Sequence, residues 1–164
     1  MTTLAPMRIG VGRAIVTGGL VVGTLDALDA IIFFGWRGTS PGRIFQGIAS
    51  GLLGRASFDA GMESVLLGIT IHYLIAFSVV IVYLLASRRF DILVRAWPWC
   101  GVAYGLGVWL FMNFVVIPLS AIHRGGFTAP GVINGLLIHA LGVGLPSAGF
   151  ARLARGPGWW AEPL

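Results

Sequence analysis

The stretch VGRAIVTGGLVVGTLDALDAIIFF at residues 11–34 decides the fold of this chain. It is long enough to cross a bilayer, because a transmembrane helix needs about 20 mainly apolar residues. Apart from Arg13 and two threonines, its polar residues are Asp26 and Asp29. A carboxylate at membrane depth is costly, so it usually faces the interior of a helix bundle or a wet cavity. The sequence therefore predicts a membrane helix that carries part of a site.

The composition extends this prediction to the whole chain. Of the 164 residues, 57% are hydrophobic and 10% are charged, and the mean hydropathy is +0.90. Soluble domains carry about 25% charged residues, so this chain is too poor in charge to cover a surface exposed to water. We therefore expect one membrane-embedded domain over residues 1–164, with no separate soluble domain.

Three further apolar segments are also long enough to span a membrane. A shorter segment at 40–54 begins with a helix-start signal, in which Ser40 is the N-cap and Pro41 the first helical residue. It is too short to span, so it is either interfacial or re-entrant. The sequence thus predicts an all-α integral membrane bundle: four transmembrane helices at about 11–34, 62–86, 97–119 and 131–151, plus a short helix at 40–54.

The basic residues indicate topology. The formal charge is +5, and all eleven basic residues are arginines that lie mostly at the ends of apolar segments. They are typical of topology determinants and lipid-phosphate contacts, and we expect the lipid bilayer, not nucleic acid, as the partner. Four spans place both termini on one side, and the larger arginine count predicts that this side is cytoplasmic. That side carries Arg8, Arg13, Arg88, Arg89, Arg95, Arg152 and Arg155, and the other carries Arg37, Arg43, Arg55 and Arg124.

Polar residues from four predicted helices form the candidate site. At a rise of about 1.5 Å per residue, each lies about 8–15 Å from the outer end of its helix. We expect Asp26 and His139, with His72 close by, to converge on a hydrophilic pocket that opens outward and acts as a pH-sensitive gate. The candidates for ligand or ion binding are Asp26, Asp29, His72, Asn113 and His139.

Small residues share the helix faces of these polar residues. Such stripes let helix backbones approach closely in lipid, so the polar side chains are expected to point along packed seams. The same stripes are more often simple helix packing, and Asn113 is more often an interhelical hydrogen bond than a ligand. The stripes are Gly19 and Gly23 before Asp26, Gly68 before His72, Gly131 and Gly135 before His139, and Gly101 with Gly105.

Several runs carry a family resemblance. They are FQGIASGLLGRASFDAG at 45–61, LGITIHYLIAF at 67–77, MNFVVIPLSA at 112–121 and NGLLIHALGVGLP at 134–146, together with GTLDALDA at 23–30. With these runs the chain resembles an uncharacterised family of small bacterial four-helix inner-membrane proteins. The resemblance implies a bacterial inner membrane and four helices. It implies no activity and no functional residue.

Three functions are compatible with the sequence. The first is ion or small-solute handling by a channel, transporter or carrier, as a homo-oligomer. The second is a redox module in which His72 and His139 are axial ligands of a b-type haem. The third is an accessory subunit of a larger membrane complex, in which the polar cluster only joins helices. The sequence contains no nucleophile elbow, phosphate loop, HExxH or CxxC, so we expect neither an enzyme nor, outside the haem hypothesis, a cofactor.

Overall fold

The computed structural model describes residues 9–122 and 126–155, and these residues form an all-α bundle without strands. Arg8 and Arg124, which entered the charge count, lie outside the described residues. A 3₁₀ turn at Gly54–Phe58 follows the second helix. The helices are α1 (Val11–Gly35), α2 (Pro41–Leu53), α3 (Gly61–Arg89), α4 (Ile92–Arg95), α5 (Trp97–Leu119) and α6 (Ala129–Arg155).

Within the described ranges, α1, α3, α5 and α6 are long and apolar enough to cross a membrane. Large apolar side chains such as Leu20, Leu74 and Leu110 are exposed on their outer faces. Small or polar residues such as Ala14 and Ser87 are fully buried between them. This inside-out pattern suits helices whose surroundings are lipid. The predicted fold class is confirmed, and the chain is a multi-pass membrane protein.

Helix α3 runs along the centre of the bundle. Its buried face repeats every fourth residue, at Ser64, Gly68, His72, Ala76 and Val80. The small residues of this face admit backbone contact, because a Cβ atom on Gly68 would clash with the carbonyl group of α2. Helix α3 also packs closely against α1. Gly19 of α1 lies under the ring of Phe77, and Gly23 lies under the ring of Tyr73.

Helices α5 and α6 are joined by a second glycine seam. A Cβ atom on Gly105 would clash with the carbonyl oxygen of His139, and one on Gly144 would clash with the carbonyl oxygen of Gly101. Gly135 lies under the indole of Trp109. Gly131 does not take part, since a Cβ atom there would meet only its own N-cap, Thr128. The expected seam on α6 therefore begins one turn later than the sequence suggested.

The short helix α2 closes one end of the bundle, and we call that end the α2 end. Ser40 caps its N-terminus by accepting a hydrogen bond from the backbone of Arg43 at 3.4 Å. The amide of Gln46 donates to the carbonyl oxygen of Gly61 at 3.2 Å, at the start of α3. The carbonyl oxygen of Gly51 accepts from the amide of Ala121 at 3.0 Å, just beyond α5. The helix is thus fixed to both α3 and α5.

At the opposite end, charged residues join α3, α4 and α6. Asp91 lies 3.9 Å from the guanidinium of Arg95 and 4.0 Å from that of Arg155. Arg155 also donates to the carbonyl oxygen of Ser87, at the end of α3. The buried Tyr83 donates from its hydroxyl to the carbonyl oxygen of Leu93 at 2.9 Å. These contacts hold the chain reversal between α3 and α5 against the last turn of α6.

We expect the Gly105→Ala variant to be less stable than the wild type by about 1–3 kcal/mol, because the added methyl group would force two backbones apart. Unfolding of the purified protein in detergent micelles measures this change. Gly107 is the matched control, since it lies on the same helix and a Cβ atom there meets nothing within 4 Å. Equal effects of Gly105→Ala and Gly107→Ala on unfolding would contradict the seam.

Candidate functional site

A cavity of about 660 Å³ lies inside the α2 end of the bundle. Helices α1, α2, α3, α5 and α6 all contribute to its walls, and it reaches Thr39 and Arg43 near the start of α2. Along α1 it extends from Val22 to Phe34, a length of about 18 Å at the helical rise. Most of its lining is apolar, because α2 and α5 present isoleucine and valine side chains toward it. The expected hydrophilic pocket is therefore a largely apolar cavity with a polar centre.

Four of the five candidate residues line this cavity: Asp26, His72, Asn113 and His139. Each comes from a different spanning helix. The sequence placed them at similar depth, and the structure brings them to one cavity. That they bind a ligand stays a prediction.

Asp26 and His72 form the closest ionisable pair in the cavity. The Nδ1 atom of His72 lies 4.0 Å from Oδ2 of Asp26, and the two side chains are 10% and 30% exposed, respectively. The Nε2 atom of His72 lies 2.8 Å from the carbonyl oxygen of Gly23. Gly23 allows this approach because it lies directly against α3, under the ring of Tyr73.

These contacts determine the tautomer of His72. A backbone carbonyl oxygen can only accept a hydrogen bond, so the Nε2 atom of His72 must carry the hydrogen. In the neutral ring, the Nδ1 atom is then an acceptor. It faces the carboxylate of Asp26, which is also an acceptor when ionised. With His72 neutral and Asp26 ionised, the pair therefore has no donor of its own between the two acceptor atoms.

His139 has the opposite tautomer. Its Nδ1 atom lies 2.9 Å from the carbonyl oxygen of Gly135, one turn earlier on α6. Nδ1 therefore carries the hydrogen, and Nε2 of the neutral ring is the acceptor. The backbone of His139 is fixed at the same time, since its carbonyl oxygen lies against Gly105.

Two π-helical turns frame the cavity. One lies in α5 at Met112–Val116 and the other in α6 at His139–Gly144. Each begins at or next to a candidate residue, Asn113 and His139. The amide of Asn113 donates to the carbonyl oxygen of Trp109 at 2.8 Å. Short π-helical turns within α-helices are frequent at functional sites, and this pair places a polar side chain on each of two facing walls.

Asp29 does not line the cavity. Its Oδ2 atom accepts a hydrogen bond from Nδ2 of Asn134 on α6 at 2.7 Å. This bond ties α1 to α6 on the flank of the site. The sequence grouped Asp29 with Asp26. In the structure, Asp29 joins α1 to α6, whereas Asp26 faces the cavity.

The contribution of α2 to the site was not predicted from the sequence. Ile44, Gly47 and Ile48 line the cavity, and Arg43 lies at its edge. Nη1 of Arg43 donates to the carbonyl oxygen of Phe58 at 3.2 Å, and the guanidinium carbon lies 4.5 Å from the centroid of that ring. The sequence does indicate this contribution, since apolar residues at 44, 48 and 52 form one face of the helix, and such a face usually packs against the rest of the protein.

A b-type haem does not fit His72 and His139 as they are placed. Nε2 of His72 donates to the carbonyl oxygen of Gly23, and Nδ1 faces Asp26, so both nitrogens point toward α1. Axial ligation would require breaking the 2.8 Å bond to Gly23. Among residues 9–122 and 126–155, no group of three or more His, Cys, Asp or Glu side chains is arranged to hold a metal ion.

Comparisons with known proteins give no relative for this chain: no protein-family model, curated protein or solved structure matches it. The family resemblance noted in the sequence stays a prediction.

We expect ¹⁵N NMR of histidine-labelled protein to show His72 as the Nε2–H tautomer and His139 as the Nδ1–H tautomer. Spectra recorded at about pH 9, well above the ordinary imidazole titration, report the neutral rings. A His123→Gln background leaves only these two rings to assign. The same tautomer at both residues would contradict the hydrogen bonds to Gly23 and Gly135.

Proposed function

We propose that this chain is a membrane protein that binds and handles a small, mainly apolar solute in the cavity at the α2 end. The observation that carries the proposal is that polar residues from four helices line one largely apolar cavity. Ligand sites in proteins are typically cavities of about 300–1,000 Å³, with apolar walls and a few convergent polar groups. The cavity of about 660 Å³ falls within that range.

The hydrogen bonding supports a site over a purely structural cluster. Polar groups that only join helices satisfy one another, as Asp29 and Asn134 do at 2.7 Å. Among the described residues, by contrast, no side chain or backbone group donates a hydrogen bond to Asp26, whose nearest ionisable neighbour is His72 at 4.0 Å. A carboxylate at membrane depth is costly unless a partner or water satisfies it. This arrangement favours a ligand over an accessory role.

A single copy of the chain supplies every wall of the cavity that the structure describes. A path across the whole membrane would be easier to enclose in an oligomer. We further propose a bacterial inner membrane, cytoplasmic termini and an α2 end that faces the periplasm. The arginine asymmetry and the family resemblance support that placement.

We expect the Gly47→Trp variant to lose solute binding while the bundle stays folded. Gly47 lines the cavity, and a Cβ atom there meets nothing within 4 Å, so the indole would fill empty space. The probe is tritiated 1-adamantanol, a compact neutral solute, measured by equilibrium dialysis against protein in lipid nanodiscs. Saturable binding is expected for the wild type, with at least about a tenfold loss in the variant.

Gly107→Trp is the matched control for Gly47→Trp. Gly107 is exposed on α5, outside the cavity, and a Cβ atom there also meets nothing within 4 Å. We expect this variant to bind the probe like the wild type. Binding no greater than to empty nanodiscs, or equal losses in both variants, would refute the proposed function.

The proposed orientation is testable by cysteine labelling of spheroplasts in a Cys100→Ala background. A cysteine at Trp36, which is 93% exposed beyond α1, should react with a membrane-impermeant maleimide from the periplasm. A cysteine at Phe90, in the turn after α3, should react only after the membrane is opened. The reverse pattern would place the α2 end in the cytoplasm.

A further inference from the structure

We infer that the polar centre of the cavity selects a protonated lipophilic amine over neutral or anionic solutes of the same shape. This inference rests on the proposed function, because it names the solute class for the same cavity. Hydrogen-bond acceptors face the cavity, whereas several nearby donors are already bonded to the backbone.

The ionisable groups at the centre present acceptors. With Asp26 ionised and both rings neutral, Asp26 offers carboxylate oxygens, and His72 and His139 offer Nδ1 and Nε2, respectively, because their other nitrogens donate to backbone carbonyls. Hydrogen bonds to the backbone have thus oriented both imidazoles with their lone pairs available. A ligand that satisfies this centre must donate hydrogen bonds and also carry a positive charge that balances the carboxylate of Asp26.

Three residues that line the cavity, Arg43, Asn113 and Ser120, donate hydrogen bonds to the backbone. Nη1 of Arg43 donates to the carbonyl oxygen of Phe58, and the guanidinium is stacked on that ring at the solvent-exposed edge. The amide of Asn113 donates to the carbonyl oxygen of Trp109. The hydroxyl of Ser120 donates to the carbonyl oxygen of Ile117. An anion at the centre would therefore face the Asp26 carboxylate, and these three donors already bond backbone carbonyl oxygens.

The 4.0 Å separation of Asp26 and His72 suits a bridging donor. Two acceptors that face each other gain nothing from closer approach, whereas an ammonium group has three donors and no acceptor. Hydrogen bonds between ionised partners are about twice as strong as neutral ones. An ammonium placed between the carboxylate and the imidazole would satisfy both.

The rest of the cavity indicates an organic ammonium in preference to a metal cation. Beyond the polar centre, away from α2, the walls are Val22, Ala76, Val79, Val108 and Val143. A hard cation such as Na⁺ or Mg²⁺ needs about six oxygen ligands, and these side chains offer none. An apolar body attached to the ammonium would fill this part instead and exclude water from the charged contact.

The test compares three solutes that share one rigid body: 1-adamantylamine, 1-adamantanol and adamantane-1-carboxylate. Dissociation constants are measured at neutral pH with protein in nanodiscs of zwitterionic lipid, and empty nanodiscs correct for partitioning. We expect the amine to bind the wild type at least about tenfold more tightly than the alcohol, because its ammonium forms a charge-assisted hydrogen bond with Asp26. The carboxylate should bind most weakly, because Asp26 repels it.

The matched pair Asp26→Asn and Asp29→Asn assigns the effect to one carboxylate. Asp26→Asn should abolish the preference for the amine over the alcohol. Asp29→Asn should retain the preference, because Asp29 bonds Asn134 outside the cavity. The proposed ¹⁵N experiment, repeated with the amine bound, should also shift the Nδ1 resonance of His72.

Each outcome distinguishes the two proposals. Binding of the alcohol that Gly47→Trp removes, without a preference for the amine, would leave the solute site intact and overturn this inference. A preference that survives Asp26→Asn, or that Asp29→Asn also removes, would overturn it as well. Failure of all three solutes to bind beyond empty nanodiscs would refute the proposed function itself.

Discussion

Direct backbone contact at glycines is the constraint on which the cavity depends. Inside a bilayer, lipid tails are as apolar as leucine, so helices associate through close van der Waals packing and not through burial from water. Gly68 fixes α2 against α3, and Gly101, Gly105 and Gly144 fix α5 against α6. These seams fix the relative positions of the helices within each pair, and both pairs contribute walls to the cavity.

Polar contacts close the remaining side of the cavity through α1. Asn134 holds Asp29, and His72 holds the carbonyl oxygen of Gly23. A hydrogen bond between membrane helices contributes only about 0.6 kcal/mol on average. Overpacking a tight contact costs about 1–3 kcal/mol, so the glycine seams outweigh any single polar contact in holding the bundle. The polar contacts chiefly set the rotation of α1, and thereby which aspartate faces inward.

The fold class was predictable because hydropathy and segment length directly reflect the requirement that backbone polar groups be satisfied in lipid. Much of the candidate site was predictable for a related reason. A polar residue at membrane depth needs a partner or water, so depth alone grouped Asp26, His72, Asn113 and His139. The small-residue stripes also indicated the seams at Gly23, Gly68 and Gly105, each of which lies against another helix.

Three features of the site were not predictable from depth and periodicity. Asp26 and Asp29 are about 60° apart around α1, so only the position of Asn134 on α6 decides which of them enters the cavity. The cavity wall supplied by α2 depends on where a short helix docks. The largely apolar lining follows from that docking, since α2 brings Ile44 and Ile48 to a centre that the sequence alone presented as polar.

The π turn in α6 has a consequence for the whole length of that helix. A π turn holds one residue more than an α turn, so everything after it is rotated by about 100° relative to an unbroken α-helix. At the start of the turn, His139 lines the cavity; after the turn, Ala148 and Ala151 are fully buried in the core with α1 and α3. An unbroken α-helix would have presented the same face to its neighbours along its whole length. The extra residue acts as a phase shift that lets one helix present a site in one half and a packing face in the other.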